Sequence, residues 1–190
     1  MTQHFETDIQ RCIEVLNNNG VILYPTDTVW GLGCDATQEE AVAKIYAIKQ
    51  RSDSKALIVL AATERDVMQY TAAVDLSLFD YLDVAEKPTT VIYEHGIGFA
   101  DNLLAEDGSI AIRICNDDFC RALLKRFGKP IVSTSANISG APAPANFAQI
   151  SREVKNAVDY VVHYRQDDVT PATPSAIIKW EDGEAVFIRK

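Results

Sequence analysis

The stretch K-P-I-V-S-T-S-A-N-I-S-G at 129–140 limits what this chain can fold into more than any other. Pro130 cannot continue a helix, and Ile131-Val132 reads as the end of a short buried strand. Directly after it stand Ser133, Thr134, Ser135, Asn137 and Ser139. Ser and Asn side chains compete with regular backbone pairing and favour turns, so the strand is expected to end here. Its end then presents a rim of neutral donors and acceptors. In open α/β sheets ligands bind outside the carboxyl ends of the strands, which makes this rim a candidate site. The alternative is a hydrogen-bonded turn with no ligand.

The remaining pattern extends the α/β reading. Helical spacing of apolar residues predicts helices over 5–19 (Ile9, Cys12, Ile13, Leu16), 38–50, 63–70, 75–85, 119–127 and a further stretch from 146. Short apolar runs predict strands at 21–24, 56–61, 87–93, 109–114, 160–163, 175–180 and 185–188. The run at 87–93 opens with a hydroxyl pair, Thr89-Thr90. Residues 94–108, with three glycines and mixed polarity, suit a mobile surface loop. We find no internal repeat and no dividing linker, and expect a single domain over 1–190.

Several chemistries are disfavoured. The loop P-T-D-T-V-W-G-L-G-C-D-A contains neither G-x-G-x-x-G nor G-K-[ST], the familiar nucleotide-cradling signatures, although Thr26, Asp27 and Thr28 follow a strand directly. The four cysteines form no C-x-x-C pair and the three histidines are far apart, so reduced, packed thiols are expected rather than a zinc site or disulfides. No apolar run approaches the length of a membrane span, and the N-terminus lacks the features of a signal peptide, so a cytoplasmic location with no membrane contact is expected. A formal charge of −9, from 18 basic and 27 acidic residues, opposes strong global attraction to nucleic acid but leaves room for a local basic cleft.

Two groups of cations stand out against that acidity. Lys49, Arg51 and Lys55 cluster at the end of a predicted helix, where they either complement the macrodipole or meet a phosphate or carboxylate. Arg113 sits inside an apolar strand, so it must pair with an internal carboxylate or a ligand anion. Arg121, Lys125 and Arg126 read instead as a solvated helix face.

The ordered set P-T-D-T-V-W-G-L-G, K-Q-R, S-I-A-I-R, S-T-S-A-N-I-S-G and P-S-A-I-I resembles the YrdC-like threonylcarbamoyl-adenylate synthase family over nearly the whole chain. The chain departs from the family pattern at Ser52, Leu60 and Ala176, and V-A-E-K-P-T-T replaces the usual W-P-G-P element. The resemblance implies a twisted mixed β-sheet with flanking helices and a concave basic cleft. It implies synthesis of threonylcarbamoyl-AMP and pyrophosphate from L-threonine, bicarbonate and ATP, with Mg²⁺ carried on the ATP phosphates. A separate transferase complex would then modify the tRNA adenosine beside the anticodon, with at most a weak tRNA contact here. By the same resemblance Lys49, Arg51, Lys55, Ser109, Ser133, Asn137 and Arg189 bind ATP, and Thr28, Arg113, Ser135 and Ser175 bind threonine. No catalytic base and no metal ligand is assigned, Asp27 being the one nearby carboxylate worth testing. The competing readings are an RNA-binding module of the same fold and a relative that forms carbamoyl-AMP.

Overall fold

The computed structural model describes residues 5–51 and 57–190. Its helices are α1 (Glu6–Asn17), α2 (Glu39–Lys49), α3 (Glu64–Tyr70), α4 (Ser77–Asp83), α5 (Asp118–Phe127) and α6 (Arg152–Ala157). Its strands are β1 (Ile22–Tyr24), β2 (Gly31–Gly33), β3 (Ile58–Ala61), β4 (Thr89–Tyr93), β5 (Ile110–Ile114), β6 (Ile131–Ser135), β7 (Tyr160–Val161), β8 (Ala176–Glu181) and β9 (Glu184–Arg189). Among the described residues these strands form one twisted mixed sheet in the order β7-β1-β2-β6-β3-β5-β4-β8-β9, with helices flanking it. No described helix is long and apolar enough to cross a membrane.

Local chemistry explains the boundaries. Thr63 and Asp66 close a reciprocal capping box at the start of α3, and the Asp117 and Ser151 side chains cap α5 and α6. Helix α1 buries Ile9, Cys12 and Leu16 and packs against α5, with Glu6 and Arg126 paired across the contact. Asp8, also buried, accepts from the Tyr160 hydroxyl at 2.7 Å and from the backbone N–H groups of His163 and Tyr164 at 3.0 and 2.9 Å. Burial alone would raise its pKa, but these donors outweigh that and hold it below the usual aspartate value.

Four expectations are corrected. Strand β6 does not end at its hydroxyls: Thr134 and Ser135 pair with Leu32 and Gly31 of β2, and Ser133 pairs with Ile58 of β3. The reason is β2 itself, a strand hidden in a glycine-rich stretch that reads as loop. Gly33 is required by close approach. A Cβ on Gly33 would lie 2.5 Å from the Tyr24 ring and 3.0 Å from the Val132 carbonyl oxygen. Residues 94–108 are anchored, with Phe99, Ala100 and Leu103 buried and the Ala100 N–H donating to Ala36 O at 3.0 Å. The helix expected over 75–85 shortens to α4, and the stretch from 146 is a 3₁₀ turn (Phe147–Gln149) followed by α6.

Candidate active site

Arg113 is carried on β5 and is 3% exposed. Its Nη2 donates to Asp27 Oδ1 at 2.9 Å and to Thr28 Oγ1 at 3.1 Å, so the internal carboxylate demanded by its burial is Asp27. Its Nε is buried and has no acceptor among the described residues. The turn that presents Asp27 is stiffened from both sides. Thr26 Oγ1 donates to Val29 O at 2.8 Å and accepts from the Thr28 N–H at 3.1 Å. Arg165 reaches the Thr26 carbonyl at 2.8 Å while its other terminal nitrogen pairs with Asp117 at 2.7 Å.

Helix α2 ends on Gln50, which takes a left-handed conformation with φ 51°. The N–H groups of Gln50 and Arg51 turn back to Ala47 O and Tyr46 O at 3.1 and 3.0 Å, the two bonds of a Schellman motif. The motif separates the two cations of K-Q-R. Lys49 stays buried at 2% exposure, and its Nζ donates to Ser135 O at 2.6 Å and Asn137 O at 2.9 Å. Burial, and then the nearby Arg51 charge, lower its pKa to about 8. Lys49 therefore holds the backbone of the hydroxyl-rich rim and does not line the cavity that Arg51 enters.

That cavity, of about 430 Å³, lies on the sheet between β2, β5, β6, β8 and β9. Arg51, Arg113 and Arg189 reach it from three separate parts of the chain, and Thr28, Ser133, Thr134, Ser135 and Ser175 supply hydroxyls. No carboxylate is among its described lining residues. Arg189 Nε and Nη2 donate to the carbonyl of Ser175 at 3.1 and 2.8 Å. Burial, and then the charge of Arg113, lower the Arg189 pKa from the usual guanidinium value; burial does the same for Arg51. Crowded, partly desolvated guanidinium groups without a lining carboxylate favour an anionic ligand.

Of the residues singled out in the sequence, Thr28, Arg51, Arg113, Ser133, Ser135, Ser175 and Arg189 meet in this one cavity. Asn137 stands beside it, its Nδ2 donating to Ala141 O at 2.7 Å. Ser109 lines a neighbouring cavity of about 260 Å³ with His95 and Lys179, which shares Ile92 with the first. Lys55 and Ser52 lie outside the described residues. Thr134, part of the hydroxyl rim read in the sequence, also lines the cavity, whereas sequence reasoning did not place Thr90 in the site, although its hydroxyl lies 2.8 Å from that of Ser175. The only signal for Thr90 was the hydroxyl pair opening an otherwise apolar strand.

The Sua5/YciO/YrdC family model, described as "Telomere recombination", matches residues 14–190. The chain belongs to this family. Among curated relatives, threonylcarbamoyl-AMP synthase of Idiomarina loihiensis is 34% identical over 84% of this chain and 86% of its own length. The enzyme of the same name from Saccharophagus degradans is 33% identical over 80% and 81%. Among solved structures, P. abyssi Sua5 complexed with L-threonine superposes with a TM-score of 0.85 at 21% identity over 97% of this chain. The present chain spans 54% of the length of that one, and the likeness is one of fold. The fold that brings Arg113, Ser175 and the β6 hydroxyls together in this chain is thus shared with that structure.

Proposed function

We propose that this protein makes threonylcarbamoyl-AMP from L-threonine, bicarbonate and ATP, releasing pyrophosphate, as a step in threonylcarbamoyl modification of tRNA. The single observation that carries the reading is the cavity with three arginines and no described carboxylate lining it, in a chain of net charge −9. The chemistry needs positioning and charge neutralisation more than covalent help. Threonine's neutral amine captures carbon dioxide with loss of a proton, or bicarbonate with loss of water, to give a carbamate, and a carbamate oxygen attacks the α-phosphorus of ATP. The bond from that phosphorus to the bridging oxygen breaks, and pyrophosphate leaves with its electron pair.

Arg113, already oriented by Asp27, takes the threonine carboxylate, and Thr28, Ser135 and Ser175 surround the rest of the amino acid. Arg51, Arg189 and Ser133 face the nucleotide, and Lys49 supports them through the rim carbonyls. Ser109 meets the nucleotide only if ATP extends past Ile92 into the adjoining cavity. Mg²⁺ arrives on the phosphates, whose oxygens and waters suffice as ligands, and Asp27 is committed to Arg113. The modification itself falls to a separate complex, and any tRNA contact here is weak and lost near physiological salt.

The test is pyrophosphate release with ATP, Mg²⁺ and bicarbonate, with and without threonine, and the adenylate identified by mass. Threonine-dependent release with the matching adenylate is expected. Equal release without threonine, or an adenylate formed only from carbamoyl phosphate, overturns the assignment. Valine, which lacks the hydroxyl, should react worse than serine, which lacks only a methyl.

A further inference from the structure

We infer that Thr90 is a positioning residue that fixes the direction of the Ser175 hydroxyl, so that Ser175 offers its proton to the amino acid. The inference rests on the proposal that Ser175 meets threonine. Thr90 is 0% exposed and Ser175 is 2% exposed, and their hydroxyl oxygens are 2.8 Å apart. Distance alone leaves the donor open, but burial decides it. Among the described residues Thr90 has no other side-chain hydrogen-bond partner. A buried hydroxyl proton left unpaired carries its full desolvation penalty, whereas an idle oxygen lone pair is tolerated more readily. Thr90 therefore donates and Ser175 accepts.

Ser175 keeps one proton, and its carbonyl is already held by Arg189 Nε and Nη2. Since Ser175 lines the cavity, that proton is directed at the ligand. The sheet register explains why Thr90 can do this. Strand β4 pairs in parallel with β8, with Thr89 opposite Ala176 and Thr90 opposite Ile177, a cavity residue. On its other side β4 runs antiparallel to β5, and the pairing of Val91 with Ile112 sets Thr90 beside Arg113. Thr90 thus lies behind the cavity lining, between the arginine that takes the carboxylate and the serine that completes the amino-acid pocket. A donating Ser175 suits an oxygen acceptor, the substrate hydroxyl or carboxylate, and not an ammonium group.

Calorimetric titration of L-threonine, alone and with a non-hydrolysable ATP analogue, tests this on wild type, Thr90→Val, Thr90→Ser, Ser175→Ala and the Thr90→Val/Ser175→Ala double variant. Valine keeps the shape and strand preference of threonine, and thermal melts check the fold. Thr90→Val should weaken threonine binding about 10-fold, with the affinity for the ATP analogue unchanged. Thr90→Ser should restore binding to within about twofold, and the double variant should bind no worse than Ser175→Ala. Wild-type affinity in Thr90→Val, failure of Thr90→Ser to rescue, or losses that multiply in the double variant each overturn the inference. A wild-type protein that binds the ATP analogue but no threonine overturns the reading of Ser175 as an amino-acid contact, and this inference with it.

Discussion

Replacing Lys49 by Met separates a residue that shapes the site from one that touches substrate. The change removes a buried ammonium and leaves the side-chain length nearly unchanged. Two opposing contributions set its effect on stability at pH 7. Burial and the charge of Arg51 lower the Lys49 pKa from 10.5 to about 8, which corresponds to about 3 kcal/mol against the charged form. Against this stand the bonds to Ser135 O and Asn137 O, at 2.6 and 2.9 Å, worth about 1.5–3 kcal/mol each for a charged donor. The sum leaves Lys49 contributing only about 0–3 kcal/mol, so urea unfolding should show a modest loss with an unchanged slope. Activity should fall much further. Without its donor the rim backbone relaxes, and misplacement of reacting groups by about 1 Å can cost about 100-fold. The expected pattern is a large loss in kcat/KM for both ATP and threonine, because Ser135 stands at the held carbonyl. Activity within a few fold of wild type would refute the reasoning. So would a loss confined to the KM for ATP, which would put the ammonium on a phosphate.

Arg51→Ala should cost about 2–4 kcal/mol of activation free energy with folding intact, whereas Arg126→Ala should leave adenylate formation unchanged because that side chain pairs with Glu6 on the surface. Gly33→Ala should destabilise the fold by about 1–3 kcal/mol in denaturant unfolding, since its Cβ meets both the Tyr24 ring and the Val132 carbonyl. Asp8, whose folded pKa lies below 3.8, contributes stability that is present above that value and lost as the pH falls through the folded pKa. Melting temperature followed from pH 6 downward should therefore fall less steeply below about pH 4 in Asp8→Asn than in wild type.

The strands and helices with clean periodicity were legible in the sequence, because alternation and helical spacing report burial directly. Strand β2 was not, because glycine weakens a strand signal and its cause here is a ring 21–24 can place only after folding: Tyr24 lying against Gly33. Missing β2 also cut β6 short, since the hydroxyls of Ser133 to Ser135 find ladder partners that the sequence hid. Arg113 was recognisable as a buried cation in need of an anion, yet its choice of Asp27 depends on a turn held by Thr26 and Arg165. Lys49 and Arg51 looked alike in sequence, two residues apart. Their different roles follow from Gln50, whose left-handed backbone turns one of them into the rim and the other toward the cavity.

The order of strands has a consequence for the protein while it is still being made. Strand β4 lies between β5 and β8, and β8 starts only at Ala176. A ribosome-bound chain that has released β5 and β6 can already join Arg113 to Asp27, yet β4 remains an open edge bearing Val91 and Ile92. Unpaired apolar edges are where nascent chains associate wrongly. Thr90 exchanges water for Ser175 as the acceptor of its proton only once synthesis has passed residue 175.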